Sequence, residues 1–129
     1  MADAAKKLLL IDDDNAFRKL LALFLQKKGY TVDEADNGPD GIEKVRVFKP
    51  DLVLLDVEMP KMSGVEVLKK IKSDPGLEQF KVTFLTNYGE DDPQMQWVDK
   101  KFAKEIGAVS HIRKDADLGV MLKSIEALL

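Results

Sequence analysis

Short continuous runs of apolar residues alternate along this chain with stretches whose apolar residues recur every three or four positions, and the alternation repeats five times. A run that is apolar on both faces suits a strand covered on both sides, and a stripe suits the helix that covers it. The pattern therefore points to a parallel sheet wrapped by helices. The expected strands are Lys7 to Ile11, Tyr30 to Ala35, Leu52 to Leu55, Lys81 to Leu85 and Val109 to Ile112. The second is the more polar and is expected at a sheet edge. The first helix is expected to turn Phe17, Leu20, Leu21, Phe24 and Leu25 inward and Arg18, Lys19, Gln26 and Lys27 outward. The inward stripes of the next four are Ile42, Val45 and Phe48; Val65, Leu68 and Ile71; Met95, Val98, Phe102 and Ile106; and Leu118, Met121, Leu122, Ile125 and Leu129. Asp14 suits the first N-cap, Gly29 the first C-cap and Pro39 an opening turn, while Asp74-Pro75-Gly76 ends the third helix.

Composition narrows the partners. Lys plus Arg total 20 against 23 Asp plus Glu, for a net charge of -3, so the chain lacks the basic excess of a protein held to nucleic acid by charge. No apolar run approaches the roughly 18 residues that a membrane span requires. Without cysteine there is neither a disulfide nor a thiolate metal site. No long hydrophobic stretch follows Lys6-Lys7. The expectation is one cytoplasmic domain over residues 1-129 with no output domain, and neither a nucleic-acid nor a membrane partner.

Ligands of open parallel sheets bind beyond the carboxyl ends of the strands, and those ends are polar here. Asp12 and Asp13 follow strand one, Asp56 ends strand three, Thr86 ends strand four and Lys114 follows strand five. If strands one and three are neighbours, three carboxylates meet at one rim. At roughly 5 Å and an effective dielectric near 20, each pair repels by roughly 3 kcal/mol. The simplest relief is a hard divalent cation such as Mg²⁺, which favours a couple of carboxylates, water and a phosphoryl oxygen. Lys114 adds positive charge, and a hydroxyl at Thr86 suits donation to a phosphoryl oxygen. The set predicts phosphoryl transfer to a carboxylate, with Asp56 attacking phosphorus in line while the protein positions and neutralises.

Taken singly, these residues admit plainer readings. Asp12 to Asp14 also suit an acidic helix start, Asp56 a solvated strand end, Thr86 a β-former and Lys114 a surface lysine. Asp14 is read as a cap alone. Trp97 lies beside Lys101 and Lys104, off the stripe of its helix, and is either an exposed partner anchor or a ring lying over lysine stems.

Leu9-Leu10-Ile11-Asp12-Asp13-Asp14, Asp51-Leu52-Val53-Leu54-Leu55-Asp56-Val57-Glu58-Met59-Pro60, Met62-Ser63-Gly64, Leu85-Thr86 and Lys114 together resemble the receiver domain of two-component response regulators of the stand-alone, chemotaxis-regulator type. The resemblance runs over nearly the whole chain. It implies an α/β fold, a single doubly wound (βα)5 flavodoxin-like domain with a parallel five-stranded sheet of order 2-1-3-4-5. It further implies that Asp56 is the phosphoacceptor, supplied by the phosphohistidine of a sensor kinase or histidine phosphotransfer protein. Asp12, Asp13, Asp56 and the backbone carbonyl of Glu58 would then hold Mg²⁺. Thr86 and Lys114 would read the phosphate, with Thr86 and His111 as switch residues that alter the surface of the fourth helix, fifth strand and fifth helix. The output is binding to a downstream protein, by a monomer open to phosphorylation-dependent dimerisation, with no catalysis beyond its own phosphorylation and dephosphorylation.

Several positions depart from that family. Asp115 follows Lys114 where proline is usual, often after a cis bond; a non-proline cis bond costs roughly 3 kcal/mol or more, so trans is expected. His111 stands where Tyr or Phe is common and Asn87 where Ala is common, and the stretch from Thr86 to Lys114 is long. The side chain of Glu58 has a second reading, as an obstacle to water near Asp56. Three rivals stand beside the main reading. One is a receiver cut from a larger regulator or hybrid kinase. Another is a Mg²⁺-dependent phosphatase resembling the haloacid dehalogenase arrangement, with Asp56 as nucleophile and Glu58 as general acid. The last is an interaction module that never takes phosphate.

Overall fold

The computed structural model describes residues 5–87 and 105–129. Its elements are β1 (Lys7–Ile11), α1 (Asn15–Lys27), β2 (Thr31–Ala35), α2 (Gly38–Phe48), β3 (Leu52–Asp56), α3 (Gly64–Ser73), β4 (Val82–Thr86), β5 (Ser110–Arg113) and a C-terminal helix, Leu118–Leu128. The stripe of the fourth expected helix at Met95, Val98 and Phe102, and with it Trp97, lies outside the described residues, whereas Ile106 packs against the core. Among the described residues no helix is long and apolar enough to cross a membrane.

All five strands run parallel in the order β2-β1-β3-β4-β5, with the polar β2 at an edge. Successive side chains of a strand point to opposite faces, so the continuous apolar runs feed two cores. Leu9, Ile11, Val53, Leu55 and Phe84 meet Val45, Val67, Leu68 and Ile71 on one face. Leu8, Leu10, Leu52, Leu54 and Leu85 meet Leu21, Leu25, Met121 and Ile125 on the other. In the register of the central pair, Ile11 lies beside Leu55. Asp12 and Asp56 therefore leave neighbouring strands side by side.

The turns that lead away from this rim are locally specified. The Asp14 carboxylate accepts the Phe17 N–H at 3.1 Å, the Asn37 side chain accepts the Asp40 N–H at 2.9 Å, and the Ser63 hydroxyl accepts the Glu66 N–H at 3.2 Å. Asp14 is thus the cap it is expected to be. Gly29 follows Lys28, the C-cap of α1, with φ +101°, a left-handed conformation that glycine adopts without penalty. Gly64 answers a different need, because a Cβ there would sit 2.2 Å from the Asp56 carbonyl oxygen. Only glycine lets α3 begin that close to the end of β3.

One expectation about α1 is corrected. Its buried residues are Arg18, Leu21, Ala22 and Leu25, at offsets 0, 3, 4 and 7, while Leu20 is 55% exposed. Phe17 and Phe24 lie at the half-buried margins. A count of large apolar residues weights Leu20 as heavily as Leu21 and gives little to Ala22, so it turns the helix too far. The small Ala22 lies against the neighbouring layer, and Arg18 goes inward because polar partners await it there. The Lys114–Asp115 bond is trans, as expected, and no cis peptide occurs among the described residues.

Candidate functional site

The rim at the carboxyl ends of β1 and β3 collects the carboxylates. Asp12 is fully buried and Asp56 is 4% exposed. One carboxylate oxygen each from Asp12, Asp13 and Asp56 lie within 4.8 Å of one another. Asp12 is held at both oxygens: Oδ1 accepts the Asp14 N–H at 2.9 Å, and Oδ2 lies 2.5 Å from Lys114 Nζ. The same ammonium lies 3.3 Å from Asp56 Oδ1.

Lys114 reaches this point because the β4–β5 pairing carries on past the end of β5, where the Lys114 N–H donates to the Thr86 carbonyl at 2.8 Å. The ring of Phe17, in the first turn of α1, lies 5.0 Å from Nζ. Thr86 is buried at the end of β4, one residue beyond the Leu85 that pairs with Asp56. His111 is half-buried on β5 beside Phe84, three residues short of Lys114 and so below the rim. Glu58 is exposed on the loop after β3. That loop folds back over the rim, with the Gly64 N–H donating to the Val57 carbonyl at 2.9 Å.

Crowding has an electrostatic consequence. Burial, then the charge of Asp12, pushes the Asp56 carboxyl up from 3.8 to about 8, with Lys114 offsetting only part of the rise. For Lys114, burial works against the ammonium, but the bond to Asp12 and the charges of Asp56 and Asp12 outweigh it and the group is held above its ordinary value. Three clustered carboxylate oxygens with a single ammonium form a donor set that fits a hard, oxygen-seeking dication.

The structure therefore brings together Asp12, Asp13, Asp56 and Lys114, sets Thr86 at the adjoining strand end, and leaves His111 further down the sheet. It also adds a residue that the sequence reading assigned to solvent. Arg18 is only 7% exposed; its Nη1 donates to the Asp12 carbonyl at 2.7 Å and its Nε to Glu34 Oε1 at 2.9 Å. The available signal was the series Arg18, Leu21, Ala22, Leu25, a complete helical stripe once a charged residue is allowed to open it.

Residues 8–126 match the family described as Response regulator receiver domain. Sporulation initiation phosphotransferase F of Bacillus subtilis (strain 168) is 35% identical over 124 residues, covering 96% of this chain and 94% of that protein. Protein PilH of Pseudomonas aeruginosa is 31% identical over 123 residues, covering 95% and 97%. The Transcriptional regulatory protein CpxR homolog of Haemophilus influenzae is 36% identical over 123 residues, which span 95% of this chain and 50% of that protein. Among solved structures, the chemotaxis protein CheY4 of Vibrio cholerae superposes with a TM-score of 0.85 at 27% identity, covering 98% of this chain and all of that one, 100%.

Proposed function

Because the chain belongs to the response regulator receiver domain family, the phosphoacceptor signalling domains of two-component systems, we propose that Asp56 is its phosphoacceptor and that the transfer depends on Mg²⁺. The observation that carries this reading is the position of Asp56: buried, within 4.8 Å of oxygens from Asp12 and Asp13, and 3.3 Å from the Lys114 ammonium. Asp12, Asp13 and Asp56 would hold the ion, with the backbone carbonyl of Glu58 as a further oxygen ligand. Bound there, Mg²⁺ would supply the positive charge that the carboxylates and the incoming phosphoryl oxygens lack.

The rest of the chemistry belongs to the chain. With its carboxyl pushed up to about 8, Asp56 becomes a full anion at neutral pH only when positive charge is added beside it. A cation held at the rim would thus also favour the ionised form of Asp56. An Asp56 oxygen forms the new bond to phosphorus as the bond from phosphorus to the donor imidazole nitrogen breaks, and the released imidazole takes up a proton. Lys114 neutralises charge on the transferred group, and Thr86 donates its hydroxyl to a phosphoryl oxygen. The donor is a sensor histidine kinase or a histidine phosphotransfer protein; the name of the Bacillus relative, a phosphotransferase, supports a relay of this kind.

The output is a change of surface. Movement of Thr86 toward the phosphoryl group, with His111 in the place of the switch aromatic, alters the face made by β5 and the C-terminal helix, where a downstream protein binds. The domain acts in the cytoplasm, as a monomer open to dimerisation on phosphorylation, and catalyses only its own phosphorylation and dephosphorylation. Intact-mass analysis after acetyl phosphate and Mg²⁺ tests the assignment. One phosphoryl increment per chain is expected, absent without Mg²⁺ and absent in Asp56→Asn. Full labelling of Asp56→Asn would move the acceptor elsewhere.

A further inference from the structure

We propose that Arg18 is a positioning residue for the acidic rim: its guanidinium holds the peptide between Asp12 and Asp13 in the orientation that presents both carboxylates to one ion. This rests on the metal site proposed above.

The strand pairing explains why such a residue is needed. The register of β1 with β3 ends at Ile11 and Leu55, and with β2 at Ile11 and Ala35. Past that point the sheet still takes the Asp12 N–H, which donates to the Ala35 carbonyl at 3.0 Å. The Asp12 carbonyl is instead met by Arg18 Nη1, at 2.7 Å in a buried setting. A buried carbonyl left without a donor is costly, and a peptide free to rotate would turn to find one. Turning that carbonyl by rotation about the Asp12 Cα–C bond swings the Cα of Asp13, and with it the Asp13 carboxylate, away from Asp12. Arg18 therefore fixes the relative aim of two side chains that it does not touch.

The chemistry of the residue fits this role better than a packing role. A guanidinium inside a buried helical stripe loses most of its hydration, and an apolar side chain of similar volume would fill the space at less cost. What an apolar side chain cannot do is donate two bonds in a fixed fork. Here one bond goes to the Asp12 carbonyl and the other to Glu34, 2.9 Å away on the edge strand. Glu34 also neutralises the guanidinium locally, so Arg18 adds little to the positive charge already offered by Lys114. Its contribution is geometrical. Since Arg18 sits in the first turn of α1, whose Asp14 cap also donates its N–H to Asp12, helix, rim and edge strand meet at one residue.

The test compares Arg18→Met, Arg18→Lys and Glu34→Gln with the wild type, using Mg²⁺ titration by calorimetry and the Asp13 amide resonance of the metal-free protein. That amide shares its peptide plane with the Asp12 carbonyl. Val45→Ala, a core truncation on the other face of the sheet, serves as a control of stability alone. Arg18→Met is expected to weaken Mg²⁺ binding roughly 10-fold or more and to move the Asp13 resonance. Arg18→Lys, which keeps a donor without the fork, recovers part of the affinity, and Val45→Ala binds Mg²⁺ as the wild type does. Unchanged affinity and an unmoved Asp13 resonance in Arg18→Met would overturn the inference. If Arg18→Met does not fold, the same two readouts in Arg18→Lys and Glu34→Gln decide, and no change in either variant overturns it. A wild-type protein that binds no Mg²⁺ would sink the metal site instead, while the metal-free Asp13 resonance would still report whether Arg18 sets that peptide.

Discussion

The two ends of the sheet treat charge in opposite ways. At the amino ends of the strands, charged groups are met one at a time. The Asp51 carboxylate accepts the Lys7 main-chain N–H at 2.7 Å, Arg46 meets Asp74 at 2.6 Å, and Lys72 gives its ammonium to the carbonyls of Glu78 and Phe80 at 2.9 and 2.8 Å. At the carboxyl ends, among the described residues, three carboxylates crowd within 4.8 Å and two of them, Asp12 and Asp56, share the ammonium of Lys114. The first arrangement holds the fold together, weakly, one pair at a time. The second opposes folding, since it buries like charges that the chain alone does not balance. A domain selected for stability alone would pair or remove them, so the imbalance marks the end of the molecule that awaits a ligand.

Changing Asp56 alters this contrast most. Its folded pKa of about 8 lies above the unfolded 3.8. The stability linked to it is thus fully present below about pH 3.8 and is lost as pH rises through 8. In the metal-free protein Asp56→Asn removes that loss, and its Tm at pH 8 is expected to exceed the wild type by about 10 °C after allowance for partial solvent screening. The gap should close toward pH 5. Mg²⁺ should raise the Tm of the wild type at pH 8 far more than that of the variant, as read by scanning calorimetry. Equal responses to Mg²⁺ would mean that the rim is not where the ion acts.

Lys114 sharpens the same contrast from the positive side. Lys114→Met leaves Asp12 and Asp56 buried without their counter-charge, although it also relieves the cost of burying the ammonium. A fall of about 5 °C in the metal-free Tm at pH 8 is expected, smaller at pH 5 where Asp56 is protonated. Labelling of Asp56 should survive better than the response to it, read as amide shifts across β5 and the C-terminal helix on phosphorylation. A full response in this variant would take the lysine out of the switching mechanism.

How much of this was legible beforehand depends on where each partner lies. Asp12, Asp13, Asp56, Thr86 and Lys114 stand out in the sequence because each is a polar residue ending or following an otherwise apolar strand, and parallel strands carry their carboxyl ends to one rim. The neighbouring positions of β1 and β3 came only through resemblance, since periodicity finds strands without ordering them. Arg18 was hidden because both its partners, the Asp12 carbonyl and the Glu34 side chain, are set by tertiary packing. Leu20 misled for the complementary reason: an apolar residue beside a buried stripe carries no mark of being just outside it. The upward shift of Asp56 was not readable either, because burial causes most of it and spacing records no burial.

The smallest effect belongs to the other end of the sheet, and it completes the comparison. Asp74 is held below the usual carboxylate range first by the Gly76 N–H and then by Arg46, all at the surface. Because its pKa is depressed, its contribution is present above 3.8 and fades as pH falls through the lower folded value, the reverse of Asp56. Arg46 is about half exposed and the pair is open to salt, so its Coulomb gain is largely screened. Arg46→Ala should therefore shift Tm by less than about 2 °C at neutral pH and leave Mg²⁺ affinity unchanged. Titration calorimetry that found Mg²⁺ binding weakened by Arg46→Ala would couple the two ends electrostatically, and the division between a stabilising end and a ligand-awaiting end would not hold.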